Sequence, residues 1–379
     1  MNFYLTNEHR RYMGLKPIKE NYELLILKND CFQEFYLFFD GINLVKLIEY
    51  SINDEYISMY ERDVFYQTNN EKTLILPKTN RGKVRKLTGS VVESLKGEDN
   101  YFTIQKRFSD KYGRAIIGNY TNQRTFYEDV YIENCNSLKD IEDWCNKFVS
   151  ESSEQDLDEV LKFSSEKRKH CSFKEGDYFR VKLGRNQYTY GRILLDVYKG
   201  MKNKTLNYWN IVMGKPLIIE IFHILTTRKD VSINELMNLK TFPSQHIMDN
   251  CFYYGEYEII GNGKLPNCIS YPIMYGRGIS SNDSNKIIFQ CGKIHLEKEY
   301  NKNQYYGQYL NNGVGFNINL DEKLIERCIK EKSNKQYWKK YEYYNKIDLR
   351  SPLNHGILTK ILNEYGLKEL ISIYEEIGK

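Results

Sequence analysis

Alanine is almost missing from this chain: Ala115 is the single one among 379 residues, while tyrosine occurs 33 times. Lys, Asn, Ile and Tyr stand where Ala would, the signature of A/T-rich codon usage, so abundant tyrosine is not by itself read as a binding device. Long apolar runs are also lacking. None approaches the roughly 18–20 residues that span a bilayer, and the longest, Pro216 to Leu225, is interrupted by Glu220 and His223. The segment from Met1 to Pro17 carries Glu8, His9, Arg10 and Arg11 with no apolar stretch of the kind a signal peptide needs. A cytoplasmic protein with no membrane partner is expected. The eight cysteines are scattered and never form Cys-x-x-Cys, so they read as free, mostly buried thiols of a reducing compartment.

Chemical motifs are sparse as well. No two of the six histidines sit at i, i+4, and none lies in His-x-His or His-Glu-x-x-His, so the sequence gives a metal site no local support. There is no Gly-x-Ser-x-Gly elbow, Walker loop or dinucleotide fingerprint. His170-Cys171 would point to opposite faces of a strand, which disfavours direct proton transfer between them. Met213-Gly-Lys-Pro has a Gly-Lys pair, but Pro216 supplies no amide for a phosphate. No catalytic residue and no cofactor are assigned.

What is present supports a folded protein. Hydrophobic residues make up 41% and charged residues 28%, enough for packed cores. The net charge of +5 is too small to argue for nucleic acid. Its distribution is uneven. From Glu128 to Leu161 eleven acids face two bases, and from Lys162 to Lys182 seven bases face three acids. Either these are solvated helix faces of opposite sign, or the acidic stretch meets a basic partner. On the second reading Glu142, Asp143, Asp156 and Glu159 are the partner-binding candidates.

The pattern predicts an α+β chain in three parts. Residues 1–168 read as a β-rich domain closed by two helices. Strands are expected at Tyr22–Lys28, 34–48, 56–66, 72–77, 101–108 and 113–120, with Asp40-Gly41 as a type I′ hairpin turn. Ser137 caps a helix over Leu138–Val149, and Ser152 or Ser153 starts another to about Lys167, with Leu157, Val160, Leu161 and Ser164 inward. Residues 169–320 read as short curved strands, forming a small SH3-like barrel or a strongly bent antiparallel sheet with insertions. Strands are expected at Asp177–Leu183, Gln187–Tyr198, Tyr253–Ile260, Lys286–Cys291 and Ile294–Glu297. Residues 321–379 read as a helical tail, with Asp321 and Ser351-Pro352 opening helices and a last one over Lys368–Ile377. The aromatic and basic block at 335–346 reads as an amphipathic helix more readily than as a base-stacking platform.

One oddity exceeds composition. Tyr-Gly-Arg occurs three times: Tyr112-Gly113-Arg114, Tyr190-Gly191-Arg192 and Tyr275-Gly276-Arg277. Either glycine lets a strand bend while tyrosine covers the gap, or the three arginines and tyrosines are ligand-binding candidates for a carboxylate or phosphate.

The second part carries a resemblance. Phe173-Lys-Glu-Gly176-Asp177-Tyr-Phe-Arg-Val-Lys-Leu183, followed by Tyr188-Thr-Tyr-Gly191-Arg192-Ile-Leu-Leu, resembles the opening hairpin of the immunity protein 26 family. Met213-Gly-Lys-Pro-Leu-Ile-Ile-Glu-Ile-Phe-His223, Pro243-Ser-Gln-His-Ile-Met-Asp249 and Tyr254-Gly-Glu-Tyr-Glu-Ile-Ile-Gly261 resemble its later segments. The resemblance covers roughly 170–290. It implies a cytosolic protein that binds and blocks a cognate protein toxin of a contact-dependent or polymorphic toxin system. Gly176, Asp177, Gly191, Lys215, Pro216, Asp249 and Gly255 are the matched positions, with the three glycines shaping the backbone. Similar sequences also carry a phosphotriesterase-type label, a chemistry commonly run on a metal-ligand cluster. Two alternatives therefore stand beside the toxin binder: a module for nucleic acid or a phosphorylated ligand, and a metal-dependent hydrolase. Immunity by binding needs a rigid scaffold and a complementary patch, but no catalytic residue.

Overall fold

The computed structural model describes residues 3–29, 33–209, 214–278, 284–304, 306–307 and 347–367. The helices expected after Asp321 and over Lys368–Ile377, and the block at 335–346, lie outside these residues. The chain divides into two compact units, Met1–Lys169 and His170–Lys379.

The first unit is built on an antiparallel seven-stranded sheet. Its elements in chain order are α1 (Asn7–Met13), β1 (Glu23–Lys28), β2 (Gln33–Asp40), β3 (Asn43–Ile52), β4 (Tyr56–Gln67), β5 (Leu74–Ile75), β6 (Arg85–Lys86), α2 (Gly89–Glu93), β7 (Glu98–Arg107), β8 (Gly113–Asn119), β9 (Arg124–Ile132), α3 (Leu138–Ser150) and α4 (Glu154–Ser165). The sheet order is β1-β2-β3-β4-β7-β8-β9, with β5 and β6 pairing separately. Alternation along β2 feeds two cores. Tyr36 and Phe38 join Ile48, Met59, Phe102 and Ile104 beneath the helices. Phe35, Leu37 and Phe39 join Leu44, Val64, Ile75, Val92 and Leu95 on the other face, under the 68–96 excursion.

Side-chain caps set the starts of α3 and α4. Ser137 accepts from the Asp140 amide, and Ser153 forms a reciprocal capping box with Asp156. Leu161, expected inward, is 53% exposed; Phe163 takes the buried position, its ring against Phe126. The hairpin after β2 is present but turns over Gly41 and Ile42, since Asp40 already pairs with Asn43. Only Gly41 has positive φ, +60°. The β-branched Ile42 resists that region, so the turn follows the pattern with glycine first rather than the type I′ form.

A buried ionic cluster docks α1 on the sheet. Arg10 donates through Nε and Nη2 to the two carboxylate oxygens of Glu61, at 2.7 and 3.1 Å. Lys46 Nζ lies 2.9 Å from Glu61 and 2.6 Å from Asp63. Burial pushes the Glu61 carboxyl up, but Lys46 and Arg10 outweigh it and hold the group below its ordinary value. At Asp63 burial wins over Lys46, and the carboxyl is raised.

The second unit contains two further antiparallel sheets. Its elements are β10 (Asp177–Leu183), β11 (Gln187–Asp196), α5 (Val197–Lys202), β12 (Pro216–Ile221), α6 (Ile233–Met237), β13 (Gln245–Met248), α7 (Asn250–Tyr253), β14 (Glu258–Asn262), β15 (Ile273–Arg277), β16 (Lys286–Cys291), β17 (Ile294–Glu299) and α8 (His355–Glu364). One sheet has the order β13-β12-β11-β10-β14 and the other β15-β16-β17. Neither closes, which corrects the barrel alternative: β13 and β14 remain separate edges. Register shifts at Tyr178/Phe179 and Ile193/Leu195 break the regular pairing of the larger sheet. Tyr253, expected to begin a strand, instead ends α7 (Asn250–Tyr253), and the strand starts at Glu258. Phe179, Val181, Ile193, Ile219 and Ile247 form an apolar core with Phe242, Phe252 and Tyr257. Leu358, Ile361 and Leu362 of α8 pack with Ile273, Tyr275 and Phe289 of the smaller sheet. Among the described residues, no helix is long and apolar enough to cross a membrane.

Candidate functional site

The acidic stretch of the first unit is largely engaged by its own unit. Glu128 pairs with Arg114 at 2.5 Å. Asp129 accepts from Trp144 Nε1 at 3.2 Å, and Asp140 accepts from the Asn136 amide. Glu142 and Asp143 lie 3.3 and 2.8 Å from Lys139 of the same helix, and Glu151 is close to Lys147. Asp156 is buried and closes the capping box of α4. Of the four partner candidates this leaves Glu142, Asp143 and the half-buried Glu159 at the surface. Glu154 and Asp158 of α4 are exposed and have no ion-pair partner among the described residues.

The three Tyr-Gly-Arg units lie on three different sheets. Arg114 belongs to the first unit, Arg192 to the larger sheet of the second and Arg277 to the smaller one. Tyr112 packs edge-on against Tyr131. Tyr190 is buried and donates its hydroxyl to the Arg228 carbonyl at 2.8 Å. Tyr275 is buried and accepts from the Tyr306 amide. Arg192 is the most constrained of the arginines. Its Nε and Nη2 both donate to Glu220 Oε1 from the adjacent strand, and Nη1 donates to the Tyr178 hydroxyl at 2.9 Å. The guanidinium lies over the Tyr178 and Phe222 rings, 5.3 and 5.6 Å from their centroids. Arg277 donates to the Ser284 carbonyl and covers the Tyr300 ring. Gly191 explains one of the glycines: a Cβ there would collide with the Phe179 ring and come within 2.6 Å of the Glu220 carbonyl oxygen.

A different group does converge, at the end of the larger sheet where β12 begins. Pro216 pairs with Met248, and the Asp249 amide donates to the Lys215 carbonyl at 3.1 Å. These contacts hold the start of β12 beside the turn into α7. Lys215 is exposed, and its Nζ sits 5.3 Å from the Tyr198 centroid and 5.7 Å from that of Tyr253. Tyr253 stacks on His170 at 4.6 Å with the planes 17° apart, and Tyr254 meets both rings. The Cys171 amide donates to the Tyr253 carbonyl, fixing this strand entry against α7. Asp249 is buried, and burial raises its carboxyl pKa against the pull of Lys215. Lys215 has no carboxylate at ion-pair distance among the described residues. The result is an exposed cation held between aromatic faces on a fixed backbone.

Residues 174–285 match the Immunity protein 26 family. No curated protein and no solved structure matches the chain.

Within the matched residues 174–285 lie Lys215, Asp249, Tyr198, Tyr253, Tyr254 and the Arg192–Glu220 pair; His170 lies just before them. Gly176 and Gly255 have φ of +83° and +70°. Asp177 accepts from the Lys174 amide and from Asn262 Nδ2, both at 2.8 Å, tying the start of β10 to the end of β14. Two histidines of the segment, His223 and His246, are buried, and burial lowers the pKa of each to about 3. Among the described residues, no group of three or more His, Cys, Asp or Glu is placed to hold a metal ion. Sequence reasoning had Lys215, Pro216 and Asp249 as family positions but gave them no shared surface. Tyr198, Tyr253 and His170 were missed as their partners; only folding brings these separate stretches together.

Proposed function

We propose that the chain is an immunity protein that neutralises a cognate protein toxin by direct binding in the cytoplasm, without chemistry of its own. The observation that carries this reading is the match of residues 174–285 to Immunity protein 26, which suggests an immunity role. The toxin-facing surface in this reading is the Lys215 patch. Tyrosine supplies large contact area at low entropic cost and recurs at interface hot spots. A cation in contact with two rings and lacking an acidic partner is ready to receive a carboxylate of the toxin. The acidic residues Glu142, Asp143 and Glu159 remain a second candidate surface, for a basic toxin.

The test is co-expression with the product of the neighbouring gene as the candidate toxin. Rescue of growth, with recovery of a stable complex of the two proteins, is the expected result. A complex-free mixture with unrelieved toxicity would remove the reading.

A further inference from the structure

The two edges of the first unit's sheet are treated differently. Sheet edges expose unpaired backbone donors and acceptors, and proteins commonly blunt them with bulges, charge or proline. At β9 the pairing with β8 is broken twice, at Gly113/Ala115 and Ile117/Gly118, and the strand carries Arg124, Glu128 and Asp129. The other edge has neither bulge nor proline, and its two charges stand at the strand ends, Glu23 paired with Lys72 and Lys28 with Glu34. β1 reads Glu23-Leu-Leu-Ile-Leu-Lys28, contains neither proline nor glycine, and pairs with β2 over six residues without a register shift. Leu25 and Leu27 pack against the core on one face. Leu24 and Ile26 project on the other, beside Phe38 and Tyr36 in register, yet remain 47% and 46% exposed. Among the described residues, this is an open hydrogen-bonding edge backed by an uncovered apolar pair.

The remaining sheet edges narrow the choice of occupant. β13 has four residues. β14 has five, is shifted in register and ends through Gly261, whose φ is +157°. β15 has five, with Gly276 and Arg277 at its end. β17 carries His295, Glu297, Lys298 and Glu299, with ion pairs to Lys286 and Glu364. The edge that matches β1 in length, regularity and apolar character is β1 itself.

We propose that this surface takes a second copy of the chain. Two β1 strands align antiparallel about a two-fold axis perpendicular to the sheet, joining the two sheets into one. Such an axis requires opposed residues to share a face. A register centred on Leu25 therefore sets Leu24 against Ile26 of the second copy, and the reverse, covering both exposed side chains at once. The contact is isologous and uses one edge per copy, so it closes as a pair and does not propagate into a fibre. It gives the first unit a role independent of toxin binding and presents two immunity 26 segments per assembly.

Light scattering after gel filtration, together with amide hydrogen exchange on the full chain, tests this. The expected mass at micromolar concentration is about twice the 45.2 kDa of one chain, with slow exchange across residues 23–28. L24K/I26K, which adds charge to side chains already at the surface, is expected to give single chains with fast exchange there and an unchanged circular dichroism spectrum. L24T/I26T keeps strand propensity while removing apolar area and is expected to weaken the pair at least tenfold. Single chains for the unaltered protein throughout the range would overturn the proposal. So would a pair that persists in L24K/I26K while residues 23–28 exchange freely.

Discussion

Both units bury ion pairs, Arg192 with Glu220 in the second, but they differ in the polar groups they bury beside them. The first joins Arg10, Lys46, Glu61 and Asp63 in one paired cluster inside the protein. The second buries His223 and His246 as neutral rings, with the Tyr208 hydroxyl and His246 Nε2 sharing a hydrogen bond. Paired charges are costly to break one at a time, because the partner is left buried and uncompensated. Neutral histidines cost little until acid offers the unfolded chain a proton that the folded chain refuses. The units should therefore fail under different insults, and that contrast can be tested.

The largest effect is expected at the ionic cluster. Lys46→Met leaves Asp63 without its cation and Glu61 with Arg10 alone, and should destabilise the first unit by about 3–5 kcal/mol. Urea unfolding followed by hydrogen exchange in each unit checks this; equal losses in both units would contradict it.

Acid comes next. Between the ordinary histidine value of 6.5 and about 3, the unfolded second unit binds protons that the folded one does not. Its stability should fall as pH falls, by about 1.4 kcal/mol per pH unit for each fully buried histidine. In the first unit, raised carboxyls at Asp63 and Glu49 act in the opposite sense, gaining stability as they are protonated. The lowered Glu61 carboxyl loses its contribution only below its unfolded value of 4.5. From pH 6.5 to 4.5 the second unit should weaken first, and parallel pH profiles would break the contrast.

A smaller effect is expected from Gly191→Ala, where overpacking against Phe179 should cost the second unit about 1–3 kcal/mol. A neutral result in thermal unfolding would mean that the strand relaxes freely there. The smallest concerns the surface of α3. Glu142→Gln with Asp143→Gln removes two exposed, solvent-screened pairs to Lys139 and should leave stability nearly unchanged in thermal unfolding. A larger loss would give this surface a structural weight that its exposure does not suggest.

Much of the local architecture was legible in the sequence. Ser137 and Ser153 carry their helix starts in plain spacing, and the β10–β11 hairpin follows from alternation on either side of Gly184. Several elements escaped, α1, α2, β9, α5 and β15 among them. α1 is short, and its capping box uses His9 where Glu or Gln is the recognised partner. β9 mixes charge and aromatics without alternation because two bulges interrupt it. Long-range pairing was the harder part. Lys139 with Glu142 and Asp143 can be read from helical spacing, whereas Asp129 with Trp144 and Glu128 with Arg114 exist only once the sheet and helices assemble. For that reason eleven acids in one stretch overstated the charge that reaches the surface. The Lys215 patch was illegible for the same reason, since its rings come from residues 170, 198, 253 and 254.

The central proposal is that the Lys215 patch, within the residues that match Immunity protein 26, is where a toxin binds. The decisive measurement is the affinity of the full chain for the toxin found by the co-expression test, by calorimetry, for the unaltered protein, Lys215→Glu and Tyr253→Ala. Reversing a cation that meets a carboxylate should weaken binding at least 100-fold, and removing one ring of its cradle about tenfold, with the fold intact in both. Unchanged affinity in folded Lys215→Glu would contradict the account and move the interface elsewhere.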